Sequence, residues 1–159
     1  MSAKAKKSSS QRTVYTNSKA RRNYTIEESL EAGIILTGTE VKSIRLGHVQ
    51  INESFARIER GKVLMYQSHI AEYKFGNINN HDPHRVRELL LKKKEVYRLE
   101  RAIQSGGRTL VPLKLYLKKA LVKVEIGLAV GKKLYDKRES LKKKAEMREA
   151  ERSLKGKNF

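Results

Sequence analysis

The sequence predicts a mainly β protein with flanking helices, in which five or six short strands form a small closed or nearly closed barrel between two basic extensions. Most of the large apolar residues lie between residues 24 and 130, where they alternate with polar residues over short segments. This spacing is typical of strands that bury one face. The net charge of +19 is uneven, because residues 1–23 carry seven bases and no acid and residues 131–159 carry eleven bases and five acids.

The first predicted strands lie in the N-terminal half of this central region. Residues 24–36 alternate loosely and end in the apolar run Gly-Ile-Ile-Leu, and residues 48–59 place Val, Ile and Phe among polar side chains. The turn Arg-Gly-Lys at 60–62 precedes the apolar run at 63–66, and this order predicts a β-hairpin.

The last two strands are predicted at residues 109–117 and 121–130. In the second of them, aliphatic residues alternate with Lys123 and other residues, so the aliphatic side chains share one face and Lys123 projects from the other. Pro112 has no N–H group, so we expect its strand to lie at a sheet edge or to contain a bulge.

Two helices are predicted between the strands. Asp82 is a favourable N-cap, Pro83 suits the first helical position, and the Gly-Gly pair at 106–107 ends the helix. Apolar residues recur between these limits at spacings of three, four and seven. A shorter helix is predicted at residues 40–46, capped by a threonine at position 37 or 39.

We expect the chain to divide into three parts. Residues 1–16 have little to bury and are expected to be disordered, whereas residues 17–130 form the folded domain. Residues 131–159, here called the C-terminal extension, favour a helix with only a thin apolar stripe. Burial of that stripe contributes roughly 6–12 kcal/mol, and ordering some twenty residues costs ~1–2 kcal/mol for each. We therefore expect an extension that is disordered when free and helical when a polyanion neutralises it, the alternative being a packed terminal helix.

The composition excludes several classes of protein. The chain has no Cys, which excludes a disulfide framework, a thiolate zinc site and a cysteine nucleophile. Its four histidines are expected at the surface or in loops, and its sequence has no P-loop, nucleophile elbow or dinucleotide motif. We expect no catalysis, no metal, no cofactor and no membrane insertion. The charge of +19 favours a polyanionic partner and disfavours self-association, so a monomeric, intracellular nucleic-acid-binding protein is expected.

The segment at residues 17–24 combines cations with an aromatic ring and amide side chains. Cations bind the phosphate backbone of RNA, and an aromatic ring stacks on a base or lies against a sugar. The RNA-binding candidates in this segment are Asn17, Lys19, Arg21, Arg22 and Tyr24. The alternative is a solvated run of charge that leads into a strand.

Five motifs follow one another along the chain: Glu-Ala-Gly-Ile at 31–34, Gly-Thr-Glu-Val-Lys-Ser-Ile-Arg at 38–45, Arg-Glu-Leu-Leu-Leu at 87–91, Thr-Leu-Val-Pro-Leu at 109–113 and Gly-Lys-Lys-Leu-Tyr-Asp-Lys-Arg at 131–138. In this order and spacing they resemble the family of small protein B (SmpB), the SsrA-binding proteins. The resemblance runs from about residue 17 to residue 138.

The resemblance implies an oligonucleotide-binding-type (OB-type) barrel with flanking helices and no catalysis. It implies that the chain binds the tRNA-like domain of transfer-messenger RNA (tmRNA). It also implies that the chain accompanies this RNA, with elongation factor Tu and GTP, to stalled ribosomes in the bacterial cytoplasm. There trans-translation tags the unfinished peptide, and the C-terminal extension senses the empty mRNA channel beside the decoding centre.

By matching position, the resemblance implies RNA-binding roles for Glu31, Leu90 and Lys123, and a weaker one for Lys92, where the family commonly has His or Asn. Glu31 either accepts hydrogen bonds from the RNA or orients a neighbouring cation, and Leu90 either stacks on a base or belongs to the core. The expected ribosome contacts in the extension are Gly131, Lys132, Lys133, Tyr135, Asp136, Lys137 and Arg138.

The chain departs from the family pattern at residues 22 and 23, where Arg-Asn replaces the usual His and acid. Arg22 can still stack on a base and contact phosphate. A second hypothesis is a structural protein bound constitutively to ribosomal RNA. A third, an RNA-processing hydrolase, is disfavoured because the sequence shows no ligand cluster, and binding to a membrane surface is disfavoured by the thin apolar stripe of the extension.

Overall fold

The computed structural model of the protein describes residues 14–76, 79–132 and 134–157. Within these residues the chain forms nine strands and four α-helices. The strands are β1 (Val14–Thr16), β2 (Tyr24–Ile34), β3 (Val49–Gln50), β4 (Phe55–Glu59), β5 (Lys62–Tyr66), β6 (His69–Ile70), β7 (Arg87–Leu90), β8 (Arg108–Lys118) and β9 (Leu121–Gly131). The helices are α1 (Ala20–Asn23), α2 (Gly38–Arg45), α3 (Lys93–Gln104) and α4 (Leu134–Lys157).

Six of the described strands form a closed antiparallel ring. Their order is β8, β4, β5, β7, β2 and β9, and β9 pairs back with β8 to close it. The short strand β1 pairs with residues 114–116 of β8, whereas β4 pairs with β8 at Leu110. Strands β3 and β6 form a separate two-stranded sheet. The prediction of a mainly β protein whose strands close on themselves is therefore confirmed.

Alternate residues of the strands fill the interior of the ring. On β9 the side chains of Val122, Val124, Ile126 and Leu128 are buried in the main core, whereas Lys123 between them is only half-buried and lies on the other face. The alternation predicted for this strand is confirmed. Side chains of α2 and α3 pack into the same core, so these helices close the interior.

The helix predicted to begin at Asp82 begins instead at Lys93, so the predicted start is wrong. Residues Arg87–Leu90 form β7, and Lys92 is the N-cap of α3. The leucines at this point are compatible with a helix or with a short strand. Tertiary contacts select the strand, because Leu89 enters the core where β7 pairs with β5 and β2. The predicted helix end is confirmed, since the two glycines after Ser105 have φ angles of 97° and 75°.

The predicted short helix and hairpin are both confirmed. Thr37 caps α2, because its hydroxyl accepts a hydrogen bond from the Glu40 N–H and its own N–H donates to the Glu40 carboxylate at 2.8 Å. Arg60 and Gly61 turn the β4–β5 hairpin with positive φ angles. The single strand predicted at residues 48–59 is instead two strands, β3 and β4, which belong to different sheets.

Strand β8 is bonded on both sides, and its pairing with β9 shifts register between Pro112 and Lys114. The prediction that this strand lies at a sheet edge or contains a bulge at Pro112 is therefore confirmed by the bulge. Residues 1–16 were expected to be disordered. Three of them, Val14–Thr16, form strand β1 and pair with β8. The folded domain thus begins before residue 17. Residues 1–13 lie outside the described part of the chain.

A buried ion-pair network joins α2 to β7. The Glu40 and Arg87 side chains are both fully buried, with 2.5 Å between Oε2 of Glu40 and Nε of Arg87. Arg85 binds the other carboxylate oxygen at 2.6 Å, and Arg87 also donates to the carbonyl and hydroxyl oxygens of Ser68. Burial raises the pKa of Glu40, but hydrogen bonds from Arg85, the Thr37 N–H and Arg87 outweigh it and lower the pKa to about 2. The carboxylate is therefore ionised in the fold.

Replacing Glu40 should change both the stability and its dependence on pH. Because the pKa of Glu40 is lowered from 4.5 to about 2, its contribution is present above pH 4.5 and is lost as the pH falls towards 2. We expect Glu40→Gln to lower the unfolding free energy at pH 7 by about 3–5 kcal/mol, because it leaves Arg87 buried without a counter-charge. Urea unfolding followed by circular dichroism between pH 7 and pH 2 measures both effects.

The matched control is Glu59→Gln, at an exposed position where the carboxylate accepts a hydrogen bond from Tyr66. It should keep the acid-dependent loss of stability. A Glu40→Gln variant with the same acid-dependent loss as the wild type would contradict this role for the ion pair.

Candidate nucleic-acid interface

Three of the residues expected to bind RNA, Glu31, Leu90 and Lys123, lie on the outer face of the adjacent strands β2, β7 and β9. Strand register places Leu90 opposite Gly33, Gly33 opposite Lys123, Lys123 opposite Tyr116, and Tyr116 opposite Val14. Residues directly opposite each other project to the same side of a sheet, so these five residues form one row across five strands. We call it the outer row.

Glu31 lies next to the outer row, two residues before Gly33 on β2. Its carboxylate accepts hydrogen bonds from the Tyr116 hydroxyl and from Nζ of Lys118, the latter at 3.3 Å. The hydrogen bond from Tyr116 lowers the pKa of Glu31, and Lys118 and Lys123 lower it further. Burial and this carboxylate raise the pKa of Tyr116. Of the two roles left open for Glu31, this geometry favours the orientation of neighbouring side chains.

Leu90 is not a core residue, because 53% of its surface is exposed at the end of the outer row. Gly33 beside it has no side chain, and a Cβ atom there would lie 3.4 Å from Cβ of Leu90. The side chain of Leu90 therefore lies against the backbone of β2 at the residue paired with Lys123. Lys92 follows two residues after Leu90 and is exposed at the start of α3.

Asn17 is placed differently from the other candidates, because it is buried. Its side-chain nitrogen donates to the carbonyl of Pro112 at 2.8 Å, and its side-chain oxygen accepts from the Ala20 N–H at 3.2 Å. Ala20 packs with Val111, Leu113 and other residues in a small second core on the outer face. Asn17 therefore holds α1 against β8.

The remaining candidates of this segment surround α1. Arg21 and Arg22 are exposed, Lys19 bonds to the carboxylate of Glu53, and Tyr24 packs against the small second core. Tyr24 and Gly33 are nine positions apart on β2, which corresponds to about 30 Å along an extended strand. The candidates thus form two groups at opposite ends of one strand.

The C-terminal extension begins beside α1. Gly131 is the register partner of Tyr24, and the N–H of Lys132 donates to the carbonyl of Asn23 at 2.9 Å. Helix α4 forms most of the extension, and every residue from 141 to 152 is exposed. The side chains of Lys133, Tyr135, Asp136, Lys137 and Arg138 lie outside the described part. Its disorder in the free protein stays a prediction.

One histidine is not where the sequence predicts it. His81 is buried, with Nδ1 2.8 Å from the Thr39 hydroxyl and Nε2 2.8 Å from the Ile70 carbonyl. It therefore holds α2 against β6. Among residues 14–76, 79–132 and 134–157, no three His, Cys, Asp or Glu side chains lie close enough together to hold a metal ion. No helix in this part of the chain is long and apolar enough to cross a membrane.

Comparison with known proteins identifies the family. A family model described as SmpB protein matches residues 14–156. The chain belongs to the SmpB family. It is 52% identical to the SsrA-binding protein of Geotalea uraniireducens over 149 residues, which cover 94% of this chain and 99% of that protein. It is 55% identical to the SsrA-binding protein of Lachnoclostridium phytofermentans over 146 residues, which cover 92% and 95%.

A solved structure is also similar to this SmpB-family chain. It is described as "tmRNA-SmpB: a journey to the center of the bacterial ribosome" and is 48% identical in sequence. The match has a TM-score of 0.64 and covers 77% of this chain and 86% of that one.

Tyr116 and Lys118 are contacts of Glu31 that sequence reasoning missed. The β8–β9 turn consists of Lys119 and Ala120, which both have positive φ angles, between the paired residues Lys118 and Leu121. A two-residue turn fixes the register of the strands that it joins. Recognition of this turn in the sequence would have placed Tyr116 opposite Lys123.

We expect Asn17→Ala to lower the unfolding free energy by about 1–3 kcal/mol, because it removes the buried hydrogen bond to the Pro112 carbonyl and one of the two acceptors of the Ala20 N–H. Urea unfolding at neutral pH measures the change. Asn79→Ala, at an exposed position, is the control and should change the free energy by less than about 0.5 kcal/mol. An unchanged stability in Asn17→Ala, combined with weaker RNA binding, would indicate that Asn17 contacts RNA directly.

Proposed function

We propose that this chain binds the tRNA-like domain of tmRNA and delivers that RNA to stalled bacterial ribosomes for trans-translation. The observation that carries the proposal is the outer row, in which strand register brings Leu90 and Lys123 together with Glu31 on one exposed face. A chain with a charge of +19 attracts RNA over long distances. The similar solved structure contains tmRNA and SmpB with a bacterial ribosome, by its description.

The outer row suits a folded RNA because its chemistry does not depend on base sequence. The major groove of A-form RNA is too narrow for side chains, so proteins bind such RNA through its shape, its phosphates and its 2′-hydroxyls. Lys123 supplies a cation for phosphate, and Leu90 supplies an apolar contact. Glu31 acts through its neighbours, since it holds the hydroxyl of Tyr116 and the ammonium of Lys118 in place.

The C-terminal extension has a separate task. Helix α4 leaves the domain beside α1 and is exposed from residue 141 to residue 152. In the empty mRNA channel its cations would lie against ribosomal RNA phosphates near the decoding centre, whereas bound mRNA would exclude it sterically. This detection of a stalled ribosome needs no catalytic step. Elongation factor Tu with GTP enters through the tmRNA, and the chain works in the bacterial cytoplasm, where the ribosomes are.

Family membership does not favour the second hypothesis, a protein bound constitutively to ribosomal RNA. The two functions differ in stoichiometry, because an adaptor is substoichiometric and enriched on stalled ribosomes. Fractionation of a cell lysate on a sucrose gradient, with quantification of this chain against ribosomal proteins, tests the proposal as a whole. An equimolar amount on all ribosomes would contradict it.

Lys123→Ala should weaken binding to the tRNA-like domain and make that binding less sensitive to salt. Loss of one phosphate contact reduces the slope of log K against log salt by roughly 0.7–0.9. Fluorescence anisotropy with labelled RNA at several salt concentrations measures the slope. Lys143→Ala removes the same charge from the exposed part of α4 and should leave the slope unchanged. An unchanged slope in Lys123→Ala would remove Lys123 from the interface.

The double variant Lys137→Ala and Arg138→Ala should leave binding to the tRNA-like domain nearly intact and abolish peptide tagging. The reason is that these side chains act on the ribosome after the RNA has bound. Anisotropy measures the binding, and a reconstituted tagging reaction on ribosomes stalled at the end of an mRNA measures the activity. Lys42→Ala with Arg45→Ala removes the same charge from exposed positions of α2, outside the extension, and as a control should leave tagging intact. Equal losses of RNA binding and tagging would contradict the separation of domain and extension.

A further inference from the structure

A cleft of about 320 Å³ lies between α1 and the segment that joins β3 to β4. It is lined by two aromatic rings, two cations, one carboxylate and amide side chains, and the residues that matter most are Lys19, Asn23, Tyr24, Asn52, Phe55 and Arg57. A volume of this size is at the lower end of small-molecule sites in proteins. Four of these residues, Asn23, Asn52, Phe55 and Arg57, were not predicted to bind RNA.

On one side of the cleft, Phe55 and Arg57 belong to a stack of flat groups that continues to Tyr66, which does not line the cleft. The rings of Phe55 and Tyr66 lie 5.3 Å apart at an angle of 11°, and the guanidinium carbon of Arg57 lies 5.1 Å from the Phe55 centroid. Phe55 and Tyr66 are also register partners on β4 and β5, so the sheet holds the stack in place. Flat aromatic and guanidinium surfaces are the groups on which unpaired bases stack.

The opposite side of the cleft is polar and is held by two contacts. The side-chain oxygen of Asn52 accepts from the Ser18 N–H at 3.1 Å, and Lys19 bonds to the carboxylate of Glu53. Both contacts tie the β3–β4 segment to the residues just before α1. The width of the cleft is therefore set within the domain.

We propose that this cleft binds one unpaired RNA nucleotide, with its base against the Phe55–Arg57 stack and its phosphates near Lys19 and the exposed arginines of α1. This inference rests on the proposed function as an RNA-binding adaptor. A base fits better than an acidic peptide, because it has the flat face that the stack requires and its edge can pair with the amides of Asn23 and Asn52. Since Tyr24 is paired with Gly131, the bound nucleotide would lie where the C-terminal extension leaves the domain.

Either of two RNAs can supply this nucleotide, the tmRNA or the ribosomal RNA, so the experiment has two arms. The full chain and the variants Phe55→Leu and Arg57→Gln are titrated against the isolated tRNA-like domain and against small ribosomal subunits. Arg57 is exposed, so its variant tests the cleft even where loss of the Phe55 ring destabilises the fold. The control is Tyr97→Leu, because Tyr97 is an exposed aromatic residue on α3 with Arg101 5.7 Å from its centroid.

We expect both cleft variants to weaken binding in one arm by about tenfold, the loss typical of a removed base stack, while Tyr97→Leu binds like the wild type. Loss with the tRNA-like domain assigns the nucleotide to the tmRNA, and loss with small subunits assigns it to ribosomal RNA. Wild-type affinity of both cleft variants in both arms would overturn the inference. Failure of the wild-type chain to bind the tRNA-like domain would contradict the proposed function instead, and the ribosomal arm would still decide the cleft.

Discussion

The buried ion pair between Glu40 and Arg87 is the interaction on which the closed ring of strands depends. Arg87 is the first residue of β7, the short strand that lies between β5 and β2 and completes the ring. Removal of one partner of a fully buried ion pair strongly destabilises a fold, because the other charge stays buried without a counter-charge. The pair therefore fixes the position of β7, and with it the position of Leu90 at the end of the outer row.

The ring places two kinds of surface on one sheet. The outer row lies at one end of β2, and α1 with its cleft lies at the other, about 30 Å of strand away. Gly127 lies between them on β9, where a Cβ atom would approach the Leu113 side chain to 3.0 Å. The absence of a side chain at Gly127 therefore lets the small second core pack close to the sheet. A protein that contacts both a folded RNA and a ribosome benefits from such separated surfaces.

Much of this fold follows from the sequence by local rules, and the exceptions have physical causes. The alternation along β9 and the capping box of Thr37 depend on residues close in the chain, so they were predictable. The start of α3 was not predictable, because the leucines near residue 89 fit both the helical period of about 3.6 residues and the strand period of two residues. Contacts with strands distant in sequence decide between a helix and a strand there. The neighbours of Glu31 required the register of a hairpin, and the cleft residue Phe55 is adjacent to α1 only in the folded chain. The motifs at 38–45 and 87–91, which carried the family resemblance, include the two residues of the buried ion pair.

We expect a rigid domain to bind the tRNA-like RNA while the C-terminal extension stays independent of it. Amide hydrogen exchange of the chain, alone and with the tRNA-like domain, tests this independence directly. In the free chain we expect slow exchange in β2, β8 and β9 and fast exchange at residues 141–152. The RNA should give new protection around Leu90 and Lys123 and none at residues 141–152. Slow exchange at residues 141–152 in the free chain, or their protection by this RNA alone, would show that the extension is not independent of the domain.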